Sequence, residues 1–406
     1  MARSKEALLS AQRLAKVAED ATWRTVVVLS FLVSVTKSGP LGTMLPQSLW
    51  NTLQFGPIIA ATIVLGLLPG RSQSRKSDRA LLSSMAAFVI VALLSTFVSI
   101  APGRTIAQVG LLALMTLFLV LTYARRWNRR SVLNIDLLTI YLAICVVQLS
   151  GLVALAVGAK WALGPYSRFT GLLSNANYAG MQSAVVLVLG CHLLTVWAGR
   201  RRALIAVGMA ALLIALILSG SRGSMIAVVV GVALFLVLTR KWRSLAAGLT
   251  VLTVGAGILA FFFPEVLSRV QAGDPTSGRV GIYESMVGNW LTSPFLGTGF
   301  RTTELLPGTN GLAGHNIFLS VLTETGIIGL LAFLAVLAAV VFSGRQGTMA
   351  GAAAAVIVVE LTESSIYGWG GPTALVSWLV LLSFAALRHL PAPKTPESLY
   401  QDLSAN

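Results

Sequence analysis

The sequence predicts an all-α polytopic membrane protein with about 12 transmembrane helices and a large outer loop between the ninth and tenth. The first observation is composition: 56% of the 406 residues are hydrophobic, only 11% are charged, and the mean hydropathy is +0.82. A soluble domain of this size could not bury so much apolar surface. The second observation is the order of apolar segments, which favours a single integral membrane domain over 1–406.

The apolar segments approach the ~20 residues that a helix needs to cross the hydrocarbon core, although the first, eighth and twelfth are short. They lie at roughly 25–38, 52–69, 80–101, 105–123, 135–158, 175–198, 203–219, 224–239, 244–263, 316–343, 349–367 and 373–387. No internal repeat or separate soluble domain interrupts them.

The basic residues predict the orientation of these spans. With both termini in the cytoplasm, every tight basic cluster falls on the cytoplasmic side, as the positive-inside rule requires. The clusters are the N-terminal residues up to Arg24, then 71–79, 124–130, 199–202 and 240–243. The net charge of +16 therefore reflects topology and attraction to anionic membrane lipid, and we expect no nucleic-acid partner.

Neither a disulfide nor a metal site is expected. Cys145 and Cys191 both lie inside apolar runs, which is typical of small buried side chains. Among the three histidines only His315 falls on the outer side, and a lone histidine without cysteine partners does not make a zinc site. We expect no cofactor either.

Three arginines gather near the outer rim in this topology. Arg222 lies in a short turn, 218–225, between spans seven and eight. Arg279 opens a helical pattern in 277–300 that Pro294 ends, which predicts an amphipathic helix lying on the outer leaflet. Arg301 follows the glycine-rich exit from that helix. Guanidinium groups bind phosphate oxygens bidentately, so the three predict a diphosphate site, with contacts to phospholipid headgroups as the alternative.

His315 ends the long outer loop, 264–315, at the point where span ten begins. An imidazole there is a candidate general base. Asn316 is expected to cap the helix or to hold the imidazole tautomer. Glu324 is nine residues on, roughly 900° around the helix, and so faces away from His315. Glu360 and Glu363, both placed in span eleven, are expected to face the protein interior, with structural roles favoured over pairing with an arginine of the site.

These residues form a pattern that resembles the signature of the O-antigen ligase and O-antigen polymerase family. The stretch GHNIFLSVLTETGIIGLLAFL contains a His-Asn pair that opens a membrane helix, followed by a Glu-x-Gly-x-x-Gly run. GRVGIYESMVGNWLTSPFLGTGF is similar to the family's Arg and aromatic helix with Pro-x-x-Gly-x-Gly. SGSRGS resembles its Ser-Arg-Gly turn, and GLLSNANYAG its Asn-x-Asn stretch. The detailed resemblance covers about 165–335.

The resemblance implies transfer of a glycan from a polyprenyl diphosphate, such as undecaprenyl diphosphate, to an acceptor hydroxyl without a metal ion. By the resemblance, Arg222 and Arg279 would bind the diphosphate, and His315 would act on the acceptor hydroxyl as base or positioner. From their positions in the sequence, Arg301 is expected to join the diphosphate site, and Asn316 and Glu324 to support it. A direct attack would invert the anomeric centre. The acceptor would be a glycan, a lipid such as the lipopolysaccharide core, or a protein, and the site would face outward from the inner or plasma membrane.

Two other interpretations stay open at this stage. A glycan-lipid transporter of the flippase type also has a dozen or more spans, and the two glutamates of span eleven are compatible with it. A peptidoglycan-type glycosyltransferase would use a catalytic carboxylate of the outer loop, Asp274 or Glu284, in preference to His315.

Overall fold

The fold is helical throughout the part of the chain that the structure describes. The computed structural model describes residues 20–33, 35, 42, 46–67, 76–127, 129–173, 175–241, 279–312, 314–343, 347–366, 372–387 and 390. Its helices are α1 (20–33), α2 (Gln47–Leu67), α3 (Lys76–Leu94), α4 (Pro102–Leu121), α5 (Arg130–Ala156), α6 (Ala176–Val196), α7 (Gly199–Ser219), α8 (Arg222–Leu238), α9 (Arg279–Thr292), α10 (Ile317–Ser343), α11 (Gly347–Glu360) and α12 (Pro372–Leu387).

Six of these helices, namely α3, α4, α5, α6, α7 and α10, are long and apolar enough to cross a membrane. Four shorter helices, α2, α8, α11 and α12, are also apolar. The prediction of a multi-pass, all-helical membrane protein is therefore confirmed. The ninth predicted span, 244–263, lies outside the described residues, so the count of twelve stays a prediction.

Helix α6 is the centre of the bundle, with most of its length buried. It packs on α5, α7, α8 and α11, while α3 packs along α10. The most extensive contact between two of the described helices is that of α8 with α11. A Cβ on Gly351 would lie 2.3 Å from the carbonyl oxygen of Gly231, so the two backbones touch at a pair of glycines. Small residues allow such close approach between membrane helices.

Helix α10 is broken in the middle at Gly326, whose φ of 67° and ψ of −170° are not helical. A second segment, residues 294–303, which we call the strap, crosses the break. The amide of Gly299 donates to the carbonyl of Glu324 at 2.9 Å, and the amide of Ile327 donates to the carbonyl of Pro294 at 2.9 Å. The strap thus provides hydrogen-bond partners for backbone groups that lose their helical hydrogen bonds at the break.

The predicted amphipathic helix is present as α9, which ends two residues before Pro294. Val280, Val287 and Leu291 form an exposed apolar stripe along it, while Ile282 and Met286 are buried against the bundle. The position of this helix at the membrane interface stays a prediction. Residues 264–278 of the predicted loop lie outside the described part of the chain.

A buried ion-pair network joins α1 to the start of α5. Asp136, which is fully buried, accepts from Arg126 Nε at 2.7 Å and from Arg24 Nε at 3.2 Å. Trp127 Nε1 donates to the same carboxylate at 3.1 Å. The start of α5 is the opposite end of that helix from the loop that leads to α6, so this network lies at the end of the bundle away from His315.

Candidate active site

The carboxylate of Glu363 joins three parts of the chain. Glu363 follows the end of α11 and is 5% exposed. Its Oε2 lies 2.8 Å from Nδ1 of His315. Its Oε1 accepts from Arg279 Nη2 at 3.0 Å and from Asn177 Nδ2 at 2.7 Å. The loop before α10, the start of α9 and the start of α6 therefore meet at one acidic side chain.

The backbone around His315 holds the imidazole in place. His315 has a φ of 48°, in the left-handed region that residues with a Cβ seldom adopt. Next to it, Asn316 Oδ1 accepts from the amide of Leu319 at 3.0 Å and so caps α10, as predicted. Asn316 Nδ2 donates to the carbonyl of Leu361 at 3.1 Å, and Tyr283 Oη donates to the carbonyl of His315 at 3.1 Å.

The imidazole of His315 is one-fifth exposed. Nδ1 faces Glu363, and Nε2 has no hydrogen-bond partner among the described residues. Asn316 does not contact the ring nitrogens, so the tautomer partner is Glu363 and not Asn316. An imidazole with one nitrogen bound to a carboxylate and the other available is the arrangement found in general bases.

Arg279 is the first residue of α9, as predicted, and its guanidinium points to the residues after α11. Nη1 donates to the carbonyl of Thr362 at 2.6 Å, and Nη2 donates to Glu363. Burial raises the pKa of the Tyr283 phenol one turn later, and the neighbouring Arg279 cation acts against that rise. Arg279 thus brings positive charge to the side of Glu363 that is not occupied by His315.

Arg168 is a further cation at this site. Its Nη2 donates to Asn177 Oδ1 at 2.6 Å, and its Nε donates to the carbonyl of Ser219, the last residue of α7, at 2.7 Å. Asn177 therefore connects Arg168 to Glu363.

The pKa of the Arg168 guanidinium reflects several neighbouring charges. Burial lowers the pKa of the Arg168 guanidinium, and the negative charge of Glu363 acts against this change. The positive charges of Arg222 and Arg279 lower the pKa of Arg168 further. Since an arginine stays protonated at any working pH, the site holds at least three cations near one carboxylate.

Arg222 opens α8, and the glycines beside it bring that helix start against the site. Gly220 ends α7 with a φ of 61°. A Cβ on Gly223 would lie 2.2 Å from Oγ1 of Thr362, the residue before Glu363. The turn predicted to allow close backbone packing does so at the residue that precedes the central carboxylate.

Arg301 belongs to a neighbouring cluster. Glu304 Oε2 accepts from Arg104 Nη2 at 2.6 Å, and Glu304 Oε1 lies 3.7 Å from Arg301 Nη2. A narrow crevice separates this cluster from the His315 region; it is lined by Arg301, Thr303, Glu304, Gly314, Ser320, Glu324 and Ser364. Gly314 and Ser364 are the chain neighbours of His315 and Glu363, so the crevice that Arg301 lines reaches the edge of the site.

Glu324 does not contact His315. It is 1% exposed, and it accepts from the amides of Arg301 and Thr303 in the strap. Its support of the site is therefore indirect, through the position of Arg301. The Glu-x-Gly spacing has a structural reason, since Glu324 binds the strap two residues before the break at Gly326.

The structure corrects the prediction for Glu363. Span eleven was expected to reach residue 367 with structural roles for Glu360 and Glu363, but α11 ends at Glu360. Glu360 is structural: it accepts from the amide of Ile366 at 3.0 Å and from the hydroxyl of Ser365. Glu363 lies beyond the helix and enters the site. Arg168 and Asn177 were not among the predicted site residues, although Asn177 lies in the Asn-x-Asn stretch.

Metal ligands do not cluster in the described part of the chain. No group of three or more His, Cys, Asp or Glu side chains there could hold a metal ion. Asp274, one alternative catalytic carboxylate, lies outside the described residues. Glu284, the other, is on α9, and no described contact joins it to His315 or to Glu363.

Comparison with known proteins supports one family. Residues 207–334, about a third of the chain, match the family model described as O-antigen ligase. No match is found among the curated proteins. The matched region contains α8, α9 and most of α10, and with them Arg222, Arg279, Arg301 and His315. The predicted resemblance to the O-antigen ligase and O-antigen polymerase family is thereby confirmed over residues 207–334.

Proposed function

We propose that the protein transfers a glycan from a polyprenyl diphosphate to an acceptor hydroxyl during synthesis of a cell-surface polysaccharide. The observation that carries the proposal is the joint contact of His315 and Arg279 with Glu363, because it places a base candidate and a cation on one carboxylate. The match to the O-antigen ligase family gives the reaction class.

The arginines suit the donor side of this reaction. When the bond between the anomeric carbon and the diphosphate breaks, negative charge grows on the leaving oxygens. Fixed guanidinium groups in a partly water-excluded site stabilise that charge more than they stabilise the uncleaved donor. Arg279 and Arg222 are at helix starts, where free backbone amides also favour anions. Arg168 and Arg301 add positive charge on either side.

His315 suits the acceptor side. The neutral imidazole takes the proton of the acceptor hydroxyl on Nε2 while the hydroxyl oxygen attacks the anomeric carbon. The electron pair of the broken bond goes to the diphosphate, and the anomeric centre inverts. This scheme needs no metal ion or nucleotide.

The membrane setting fits a lipid-linked donor. The exposed apolar stripe of α9 and the apolar bundle would leave the polyprenyl chain in lipid while its headgroup reaches the arginines. The distribution of basic clusters supports an outward-facing site in the inner or plasma membrane, with both termini in the cytoplasm.

The test uses the full chain in nanodiscs with a polyprenyl-diphosphate glycan and separate acceptors: a lipid A–core glycolipid, a second lipid-linked glycan, and a protein. Released polyprenyl diphosphate and glycan product are measured. We expect turnover by the wild type and loss of at least about 100-fold in His315→Ala. Arg200→Ala, at the start of α7, is the control, since it removes an exposed arginine from the other end of the helix that ends at Ser219.

The acceptor that is used separates ligase from polymerase. If neither wild type nor variant releases polyprenyl diphosphate, and the lipid-linked glycan instead crosses the bilayer of a proteoliposome, the transporter interpretation replaces the proposal. Unimpaired turnover by His315→Ala would keep the transferase but remove His315 from its chemistry.

A further inference from the structure

We propose that Glu363 is a positioning residue that fixes His315 in the tautomer required of a base and couples it to the diphosphate-binding Arg279. This inference rests on the proposed glycan transfer and deepens it. It assigns a role to a side chain outside the 207–334 family match.

The contacts of Glu363 indicate a role in the candidate site and not in stabilising the fold. All three described side chains that hydrogen-bond to it, His315, Arg279 and Asn177, lie at the candidate site. The structural need at this end of α11 is met by a different acid, because Glu360 accepts from the backbone amide of Ile366. Two carboxylates three residues apart therefore have separate tasks.

The geometry defines the tautomer. An ionised carboxylate only accepts hydrogen bonds, so the 2.8 Å contact requires the proton on Nδ1 of a neutral His315. Nε2 then carries the lone pair, and it is this nitrogen that has no partner among the described residues. The carboxylate also stabilises the imidazolium that forms when Nε2 accepts the hydroxyl proton.

The chemical step balances without another reactant. The acceptor O–H bond breaks and its proton passes to Nε2; the oxygen bonds to the anomeric carbon; the bond to the diphosphate breaks with its electron pair. The imidazolium afterwards loses its proton to water. Glu363 stays ionised and touches neither donor nor acceptor.

The position of Arg279 adds the coupling. Because Oε1 of Glu363 binds Arg279 while Oε2 binds His315, a displacement of either partner moves the shared carboxylate. The base His315 and the donor-binding Arg279 are thus held at fixed positions relative to each other. A residue that only filled space would not determine which ring nitrogen of His315 carries the proton.

The decisive variant is Glu363→Gln. Its amide can keep the oxygen toward Arg279 and Asn177, but its NH₂ group then donates to Nδ1 of His315 and requires the proton on Nε2. Such an imidazole cannot accept a proton from the hydroxyl. We expect the turnover number to fall at least about 100-fold while binding of the lipid-linked donor stays within about threefold of wild type.

A spectroscopic readout makes the test independent of activity. The chain has only three histidines, so ¹⁵N-histidine NMR of the full chain in nanodiscs resolves few signals, and His315→Ala identifies those of His315. At about pH 8, where an ordinary imidazole is neutral, we expect Nδ1–H in the wild type and Nε2–H in Glu363→Gln. Glu360→Gln is the matched control: it is expected to lower thermal stability but to leave the His315 signals unchanged.

The outcomes separate this inference from the proposed function. Suppose that the wild type is active and that Glu363→Gln shows the same His315 tautomer and the same turnover. This result would overturn the role of Glu363 alone. No turnover by the wild type would overturn the proposed function, and the role of Glu363 in catalysis with it. A variant that loses donor binding as well as turnover, with unchanged His315 signals, would make Glu363 a structural residue.

Discussion

Gly223 at the start of α8 lies directly against Thr362: a Cβ at position 223 would be 2.2 Å from the threonine Oγ1 and 2.8 Å from its Cβ. Thr362 in turn gives its carbonyl to Arg279 and precedes Glu363. The turn that carries Arg222 and the turn that carries Glu363 are therefore in van der Waals contact through a glycine.

Gly223→Ala is expected to displace Thr362 and the adjacent Glu363. A displacement of about 1 Å at a site of this kind lowers turnover by about 100-fold. Thr362→Ala removes two of the three atoms that the new methyl would meet, so the double variant should recover part of the loss. Turnover is measured for the wild type, the two single variants and the double variant. A double-mutant cycle over these four values gives the coupling between positions 223 and 362. Simple addition of the two single effects would show that the contact is unimportant.

Much of the fold follows from local sequence signals. The apolar segments place ten of the predicted spans on described apolar helices, Pro294 ends α9, and Asn316 caps α10. Each of these depends on residues within a few positions of one another. The helix break at Gly326 was not predicted, because a single glycine within an apolar run does not indicate where another segment will cross.

The site was harder to predict because its contacts join distant residues. Glu363 is 48 positions from His315 and 186 from Asn177. Its role depends on α11 ending at Glu360, and the alternative end at 367 would have placed it inside a membrane helix. Arg279 and His315 were identified through motifs, whereas Arg168 carried no helix or motif signal strong enough to separate it from an arginine at the lipid headgroups.

Gly326→Ala should destabilise the protein. The φ of 67° with ψ of −170° is accessible almost only to glycine, which costs an alanine about 1–3 kcal/mol, and its Cβ would also meet the Phe295 carbonyl oxygen at 2.1 Å. The midpoint of thermal unfolding in nanodiscs measures the effect. Gly110→Ala is the control, because a Cβ there meets nothing within 4 Å and alanine favours the α4 helix. Equal midpoints for the two variants would contradict the account of the break.

Arg279→Lys should impair donor use almost as much as Arg279→Ala. The guanidinium uses two nitrogens at once, for the Thr362 carbonyl and for Glu363, and a lysine ammonium has no such planar fork. We expect kcat/KM for the lipid-linked donor to fall about 100-fold or more in both. Arg168→Ala should give a smaller loss, since its described contacts are to Asn177 and Ser219. Full activity of the lysine variant would show that charge alone is needed.

Treatment with a chelator should leave transfer intact, because catalysis is proposed to depend on arginines and a histidine. The measurement is product formation in nanodiscs before and after incubation with a chelator, followed by addition of divalent cations. Loss of activity that returns with one cation would require a metal in the reaction and would contradict the scheme.

Asp136→Asn should destabilise the bundle without changing the chemistry at His315. The variant leaves Arg126, whose side chain is 1% exposed, beside a neutral amide, with Asp20 at 2.8 Å as its remaining carboxylate partner. We therefore expect a cost below the about 3–5 kcal/mol of a buried charge that is left unpaired. The amide has one acceptor oxygen in place of two, so Arg24, Arg126 and Trp127 cannot all keep their hydrogen bonds to position 136. We expect a lower unfolding midpoint, with turnover per folded molecule near wild type because the network lies at the other end of the bundle. A large loss of turnover in protein that remains folded would indicate that the two ends are coupled through α5.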